Sequence, residues 1–289
     1  MSDQAKGILL LLITVFVFSI GDAVGKLIAE ASGGLMASWG RFVFALAALP
    51  VLMPHRIGQL ARTTQWRLQL LRSTVVIGAN AIFYMGLQHI PLADAIALGF
   101  VSPFMTTLLA IPILGEKVGV RRWTAIAIGF VGVLVIVRPG LETRHWAYAL
   151  PMVSASFWAL FVVLTRKLGP DEPPLTTLLY TPVMGAIALS ATTPLYWRDP
   201  APEIWVLLVL MGVLSTAGHL TLVRAYRLAP TSLLAPFNYI SIVFATFFGF
   251  VLFGTLPDGW TVLGVVIVIA SGAYVYHREA LAKARRATP

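Results

Sequence analysis

Long runs of apolar residues, separated by short polar links, make up almost the whole chain. About 20 consecutive apolar residues span the hydrocarbon core of a bilayer, and each run must satisfy its backbone hydrogen bonds internally, as a helix, when it lies in lipid. The pattern predicts an all-α integral membrane protein with ten transmembrane helices. The predicted spans, numbered 1 to 10 in chain order, are 7–28, 35–53, 67–88, 92–114, 121–138, 146–167, 174–196, 203–227, 231–254 and 258–277.

The composition agrees with this pattern. Charged residues make up 11% of the chain and hydrophobic residues 58%, whereas a soluble domain carries roughly 25% charged residues. The net charge of +9 does not indicate nucleic-acid binding, because the basic residues lie at the ends of the predicted spans. The chain has no cysteine, which excludes disulfides, thiol chemistry and cysteine-ligated metals. We expect no cofactor and no metal.

The distribution of Lys and Arg predicts the orientation, because cytoplasmic loops attract these residues. With the N-terminus inside, the inner side holds sixteen of them and the outer side five, namely Lys26, Arg41, Arg138, Arg144 and Arg198. Both termini are therefore expected in the cytoplasm. The sixteen on the inner side are Lys6, Arg56, Arg62, Arg67, Arg72, Lys117, Arg121, Arg122, Arg166, Lys167, Arg224, Arg227, Arg278, Lys283, Arg285 and Arg286.

The second half of the chain repeats the order of apolar runs and of Pro, Ser and Gly positions of the first half, at an offset near 139 residues. The repeat predicts two units of five spans, 1–140 and 141–289. An odd number of spans inserts the second unit upside down, and inverted repeats are an architecture of transporters. The matched positions are Pro91 and Pro230, Ser102 and Ser241, and Leu114-Gly115 and Phe253-Gly254.

A break in the helix is expected in span 4 of the first copy and not in the matching span 9. Pro103 lacks a backbone N–H and frees a carbonyl one turn earlier, near Gly99, whereas Ile242 stands at the matched position of span 9. The break either presents backbone to a ligand or bends the helix around a neighbour.

Several residues resemble those of a known family, the EamA-type members of the drug/metabolite transporter superfamily. The resemblance covers residues 7–277 and implies a bacterial inner-membrane carrier, often an exporter of amino acids or related small metabolites. In the second copy Gly254 is kept, but Thr255 stands where Glu116 predicts an acid. The residues that carry the resemblance are Lys26, Arg41-Phe42, Pro103, Leu114-Gly115-Glu116 and the small residues after Trp123.

Polar residues deep in the membrane are the candidates for substrate binding, because they are costly to bury there. Asn80 and His219 lie near the middle of spans 3 and 8 and match at the offset of 139. Their alternative role is to bond neighbouring helices. The predicted binding set, which suits an amino acid or another amphipathic metabolite, is Asn80, Tyr84, Ser102, Trp158, His219, Asn238, Tyr239 and Ser241.

A second set, Asp22, Lys26 and Arg41, is predicted to serve coupling or gating. Asp22 and Lys26 lie one turn apart, so they are expected to pair within the helix. The set either locks spans 1 and 2 together or forms a site for a proton or a counter-substrate. Asp94 is expected to be solvated near the outer surface, and Glu116 is expected to anchor an inner loop.

Three functions remain open at this stage. A secondary transporter that exports amino acids by alternating access is favoured. A proton-coupled multidrug or cation exporter that depends on Asp22 is the alternative, and a membrane-embedded lipid-modifying enzyme is a remote one. An enzyme is not expected, because the chain has no metal or nucleophile motif and its five histidines are scattered. The Gly21-x-x-x-Gly25 pair fits packing inside a monomer, with dimerisation as the alternative.

Overall fold

The computed structural model describes residues 2–52, 63–116, 118–138, 146–169 and 174–287. These residues form helices and no strand. The α-helices are α1 (Asp3–Ser32), α2 (Gly34–Leu52), α3 (Trp66–Leu87), α4 (Leu92–Gly99), α5 (Ser102–Leu114), α6 (Val120–Val137), α7 (Ala149–Leu168), α8 (Pro174–Thr192), α9 (Pro202–Leu228), α10 (Thr231–Leu234), α11 (Ile240–Phe253) and α12 (Gly259–Ala287).

The all-helical membrane fold predicted from the sequence is confirmed. Seven helical segments of the described residues are long and apolar enough to cross a membrane, and three shorter apolar helices lie at Ile126–Val137, Phe237–Phe253 and Gly259–Tyr274. Each coincides with a predicted span. The count of ten crossings stays a prediction, as does the division into two units, whose boundary at 140/141 lies outside the described residues. Arg56, Arg62, Lys117 and Arg144, used in the charge count, lie outside them too.

Spans 4 and 9 are both interrupted, and the expectation of a break in the first copy alone is wrong. Span 4 consists of α4 and α5, which are separated at Phe100 and Val101. Pro103 stands in the first turn of α5, where its missing N–H would have no partner in any case. Span 9 contains the 3₁₀ stretch Ala235–Tyr239 between α10 and α11. Pro236 lies near the start of that stretch, six residues before Ile242, the position that matches Pro103.

Both interrupted spans end on the same glycine turn. Gly115 has φ of 70° and Gly254 φ of 65°, a left-handed conformation that glycine adopts without steric cost. The N–H of Gly115 donates to Ile111 at 3.0 Å, and the N–H of Gly254 donates to Phe250 at 3.0 Å. The same cap therefore recurs at an interval of 139 residues.

The packing of the helices follows the same interval. The largest contacts join α1 with α9, α6 with α12, and α3 with α7. Helices α6 and α12 approach backbone to backbone, because a Cβ added at Gly132 would lie 2.9 Å from the carbonyl oxygen of Gly264. The main core cluster runs through the centre of the bundle, from α1 and α2 to α12.

The helix ends collect at two opposite ends of the bundle. We call one the Gly33 end, because the turn at Gly33 lies beside the end of α3; Lys26 there reaches the carbonyl of Leu87, and Arg138 pairs with Asp258. We call the other the Gly115 end, where Arg166 pairs with Glu116. The pairing of Glu116 with the end of α7 fits the loop anchor predicted for it.

Candidate functional site

A largely buried polar network at the Gly33 end joins α1, α2 and α3. Arg41 Nη1 donates to the hydroxyl of Tyr84 at 2.8 Å, and this hydroxyl donates to Asp22 Oδ1 at 3.2 Å. Arg41 Nη1 also lies 3.6 Å from Asp22 Oδ1. The three side chains form a closed triangle, in which the tyrosine bridges the two charges.

The predicted pairing of Asp22 with Lys26 is wrong. Lys26 Nζ instead lies 2.7 Å from Glu30 Oε1 and donates to the carbonyls of Leu87 and Ile90, each at 2.9 Å. Its ammonium also lies 5.1 Å from the centre of the Phe253 ring. These carbonyls belong to the turn after α3, where the helix leaves its last carbonyls without partners. Lys26 therefore fastens α1 to the end of α3.

Tyr84 was predicted to contact substrate, but the structure places it in the network. Its side chain is fully buried, at 0% exposure, and its ring lies against Gly25. The close approach of Gly25 to α3 agrees with the predicted packing of this glycine inside the bundle. The side chain orients Asp22 and Arg41, and its contact with a substrate stays a prediction.

Asn80 and His219, predicted as matched binding residues, are both partly buried. Asn80 Oδ1 accepts a hydrogen bond from Ser38 Oγ at 3.1 Å. His219 Nδ1 lies 2.8 Å from the carbonyl oxygen of Ser215. Because a carbonyl oxygen can only accept a hydrogen bond, Nδ1 carries the proton of the ring. The His219 ring meets the Phe18 ring at a centroid distance of 5.0 Å.

The remaining predicted binding residues lie at or near the interrupted spans. The rings of Phe100 and Tyr239 meet at 5.0 Å, and these two residues are themselves 139 positions apart. The carbonyl of Ser102 accepts a hydrogen bond from Thr106 Oγ1 at 2.8 Å, Asn238 hydrogen-bonds Tyr226, and Ser241 is partly buried. The two breaks therefore meet near the centre of the bundle.

Trp158 is one of the more exposed aromatic residues of α7, at 43%. Its ring meets the Phe161 ring at 5.1 Å. The Phe161 ring in turn lies 4.8 Å from the guanidinium carbon of Arg72. Trp158 thus continues a row of aromatic rings that begins at a buried charge.

Arg72 is a residue whose role the sequence reasoning missed. It was counted among the cytoplasmic charges, yet it is fully buried at the Gly115 end, with 0% exposure. Its Nη2 donates to Thr181 Oγ1 at 3.0 Å, and its Nη1 donates to Thr165 Oγ1 at 3.4 Å. Its place two turns inside α3 was the available signal, because an arginine there is too deep to be a loop residue.

Asp94 was expected to be solvated, and this is wrong as well. The residue is 4% exposed, and it accepts a hydrogen bond from the hydroxyl of Tyr148 at 2.7 Å. The contact joins the start of α4 to the 3₁₀ turn before α7. It adds a carboxylate to the buried polar groups of the Gly33 end.

The fold and these polar groups between the helices are typical of a multi-pass membrane protein. Within the described ranges, no three His, Asp or Glu residues come together as a metal site would require. A comparison with protein families matches residues 5–138 and 145–276 to the EamA-like transporter family. The chain belongs to this family, and the resemblance stated from the sequence is confirmed.

Three named relatives are similar over nearly their whole length. A riboflavin transporter of Vibrio cholerae is 30% identical over 285 residues, 95% of this chain and 94% of its own. A pseudopaline exporter, CntI, of Pseudomonas aeruginosa is 30% identical over 275 residues, 92% and 94% respectively. An S-adenosylmethionine uptake transporter of Rickettsia prowazekii is 23% identical over 283 residues, 96% of each chain.

These findings establish the class of function. The family and the three relatives are all named transporters, so the chain is a membrane transporter of a small molecule and not an enzyme.

Proposed function

We propose that the chain is a secondary transporter that carries a small metabolite across the bacterial inner membrane by alternating access between two inverted five-helix repeats. The observation that carries this proposal is the recurrence of structure at an interval of 139 residues. The glycine caps at Gly115 and Gly254 share it, and both predicted copies contain an interrupted span. Two equivalent packings, exchanged between the halves, give two states of similar energy.

The helix contacts support an exchange of this kind. The packing of α1 against α9 has its counterpart in the packing of α3 against α7, because α1 matches α7 and α9 matches α3 in the proposed repeat. In both pairs an aromatic ring lies over a glycine. The Phe18 ring lies against Gly218, where a Cβ would clash with it. The Phe157 ring lies 3.5 Å from the point where a Cβ of residue 78, a glycine, would stand.

We assign the Gly115 end and both termini to the cytoplasm. The count of basic residues supports this more strongly once the structure is used. Arg72, Lys26 and Arg41 lie inside the bundle, so they leave the count, which becomes fifteen on the inner side against three on the outer. In this orientation the networks of Asp22 and Lys26 lie toward the periplasmic side.

We assign the substrate to the class of planar, nitrogen-rich metabolites, with riboflavin as the first candidate. The riboflavin transporter of Vibrio cholerae matches 95% of this chain, and a second riboflavin transporter, from Rhizobium johnstonii, is 32% identical over 251 residues. Aromatic side chains suit a planar ring, which stacks on them. Phe18, Trp158 and His219 offer such faces, and Asn80 offers an amide for hydrogen bonds.

The test is transport by the purified protein in liposomes. The panel contains riboflavin, S-adenosylmethionine and the neutral amino acids, each labelled, with empty liposomes as the control. We expect riboflavin to accumulate or exchange above the control, and His219→Ala to weaken this transport without unfolding the bundle. If none of the panel moves above the control, the proposed substrate classes are wrong.

Amino-acid export, favoured by the sequence, is the second candidate. The neutral groups at Asn80 and His219 suit an amphipathic zwitterion, and one relative is an exporter. Movement of amino acids but not of riboflavin in the same panel would favour it. Proton coupling through Asp22 is tested there too, because Asp22→Asn would abolish transport driven by a pH gradient and leave exchange unchanged.

A further inference from the structure

Gly21 differs from every other buried glycine in the described part of the chain. A Cβ added at Gly21 would meet no heavy atom within 4 Å, apart from its chain neighbours and its own helix backbone. Each of the other buried glycines would place its Cβ within 4.0 Å of such an atom. A glycine that is buried and yet faces nothing marks a space inside the protein.

The contacts on either side locate this space between α1 and α9. Thr14 Oγ1 donates to Thr221 Oγ1 at 2.8 Å, the Phe18 ring meets His219, and a Cβ at Gly25 would lie 3.0 Å from Met211 Cε. Along these contacts the residue numbers rise in α1 and fall in α9, so the two antiparallel helices keep one register.

Residues 14, 18, 21 and 25 form one stripe of α1, because positions three, four and seven apart share a helix face. The register therefore places Ser215 opposite Gly21. The space lies between two small residues, closed by Met211 and Tyr84 on one side and by Phe18 and His219 on the other.

The charges beside this space retain some exposure. Although the bundle surrounds them, the side chains of Arg41 and Asp22 are 17% and 20% exposed, whereas Lys26, one turn further along α1, is 5% exposed. Exposure at this depth requires an opening next to the pair. Tyr84 links the two features, because its hydroxyl donates to Asp22 and its ring lies against Gly25, at one end of the space.

The chemistry of the walls selects a hydrogen-bond donor. His219 uses Nδ1 to donate to the carbonyl of Ser215, so a neutral imidazole presents Nε2 as an acceptor. The carboxylate of Asp22 is also an acceptor. An imide or amide N–H, an amine or a hydroxyl group of a ligand would satisfy them.

We propose that the space between Gly21 and His219 is a subsite that takes a hydrogen-bond-donating group of the transported metabolite, and that Gly21 sets the largest group it admits. The proposal rests on the proposed transport function. A side chain at position 21 would occupy the volume that the ligand needs, while it would leave the contacts of Thr14, Phe18 and Gly25 with α9 in place.

The absence of native cysteine allows a direct test. A single Gly21→Cys variant in membrane vesicles is treated with a small methanethiosulfonate reagent, and its labelling rate is compared with that of two controls. Ala23→Cys lies in the packed core, at 1% exposure, and Gly119→Cys lies in an open link. Because thiol reactivity follows exposure, we expect Gly21→Cys to react about tenfold faster than Ala23→Cys. An equal rate for these two variants would overturn the proposal.

The role of the space is tested by ligand protection and by size. Riboflavin and the other panel metabolites that the wild type transports should slow the labelling of Gly21→Cys, and should not slow that of Gly119→Cys. Gly21→Leu should raise KM for the largest transported metabolite about tenfold, a change of about 1.4 kcal/mol, while Gly119→Ala leaves it unchanged. Labelling without protection by a transported ligand, or unchanged transport by Gly21→Leu, would refute the subsite.

The two proposals fail in different ways. If the wild type transports nothing in the panel while Gly21→Cys still reacts faster than Ala23→Cys, the proposed substrate classes are wrong and the space itself stands. If the wild type transports riboflavin while Gly21→Cys stays unreactive, the transport function stands and the subsite is wrong.

Discussion

The two ends of the bundle hold buried polar clusters at matched positions, but they are built from different chemistry. At the Gly33 end the cluster contains Asp22, Lys26 and Arg41. The residues 139 or 140 positions later are Phe161, Thr165 and Thr181, and these are the residues that surround Arg72 at the Gly115 end. Arg72 itself matches Met211, which lies beside Gly25.

The two clusters differ in which half of the chain supplies the groups that contact their charges. The triangle of Asp22, Arg41 and Tyr84 is contained in α1, α2 and α3, all from the first half of the chain. Arg72 instead extends from α3 to hydroxyl groups of α7 and α8, in the second half. A contact acts as a gate only when its two sides separate. The Arg72 cluster is therefore suited to a gate between the halves, and the Asp22 network is suited to holding three helices of one half together.

The largest effect is expected from Arg41→Ala. Removal of the guanidinium leaves the carboxylate of Asp22 inside the bundle without its cation, and breaking a buried pair in this way costs about 3 kcal/mol. Denaturant unfolding in detergent measures the loss. The double variant Asp22→Asn/Arg41→Ala should recover most of it, because no charge is then stranded. A double variant no more stable than Arg41→Ala would show that the pair does not carry the stability of this end.

Arg72→Met, which installs the residue found at position 211, is expected to cost less. Its hydroxyl partners in α7 and α8, Thr165 and Thr181, are neutral, and Thr165 Oγ1 already donates to the carbonyl of Phe161 at 2.7 Å. We expect a loss of about 1 kcal/mol, together with a shift toward states that are open at the Gly115 end.

That shift is measured with a cysteine beside Arg72. Ser73 is fully buried and lies 3.5 Å from Thr181. Ser73→Cys should react with an impermeant thiol reagent about fivefold faster when Arg72 is Met, because about 1 kcal/mol is a factor of about five in population. The same comparison in an Arg41→Ala background is the control, and equal acceleration in both would erase the distinction between the ends.

Two tyrosine hydroxyls of the Gly33 end allow a finer comparison. Tyr148→Phe removes a donor that lies 2.7 Å from Asp94, and Tyr84→Phe removes one that lies 3.2 Å from Asp22. A hydrogen bond to a charged group contributes about 1.5–3 kcal/mol, so we expect Tyr148→Phe to cost about 2 kcal/mol. Tyr84→Phe should cost about 1 kcal/mol, because Arg41 still neutralises Asp22. Unfolding midpoints in the reverse order would contradict this reading of the two contacts.

The smallest effect is expected at the rim of the Gly33 end, where Arg138 pairs with Asp258. Partial burial raises the pKa of Asp258, but the hydrogen bond from the Thr261 backbone and the contacts with Arg138 lower it by more. The pKa of Asp258 is therefore below its ordinary value. The stability from this pair is therefore complete above the unfolded pKa of about 3.9 and is lost as the pH falls through the lower folded value.

Because Asp258 is about half exposed, Arg138→Ala should cost less than about 1 kcal/mol at neutral pH. It should also weaken the loss of stability below pH 4 or so. Unfolding midpoints between pH 3 and 7, compared with those of the wild type, measure both changes. A pH dependence unaffected by the substitution would remove Arg138 as a cause of the lowered pKa.

The sequence predicted the helices well, because membrane spans are defined by long apolar runs that leave little freedom. It also ended span 4 at residue 114, and Gly115, which follows, adopts the left-handed conformation. The break in span 9 was not predicted, because Ile242 stands opposite Pro103 and Pro236 lies six residues earlier in the chain. A 3₁₀ stretch arises from the local geometry of several residues, and no one of them predicts it.

The site was harder to predict, because its contacts join residues that are distant along the chain. The helical spacing of Asp22 and Lys26 allowed them to pair, yet Lys26 reached the carbonyls after α3 and Asp22 reached Tyr84. Arg72 and Asp94 were placed near the surface from their distance to the predicted span ends. Their burial depends on which helices pack around them, and one sequence does not contain that information.

The backbone contact of α6 with α12 has a mechanical consequence. Two helices that meet through leucines and valines interlock, so one cannot turn on the other until its side chains climb out of their grooves. At Gly132 and Gly264 the two backbones touch, and side chains of the facing helix, Val268 and Ile136, lie beside these glycines. The crossing is therefore held at close range by the glycines and interlocked by these side chains, which resists the turning of one helix on the other.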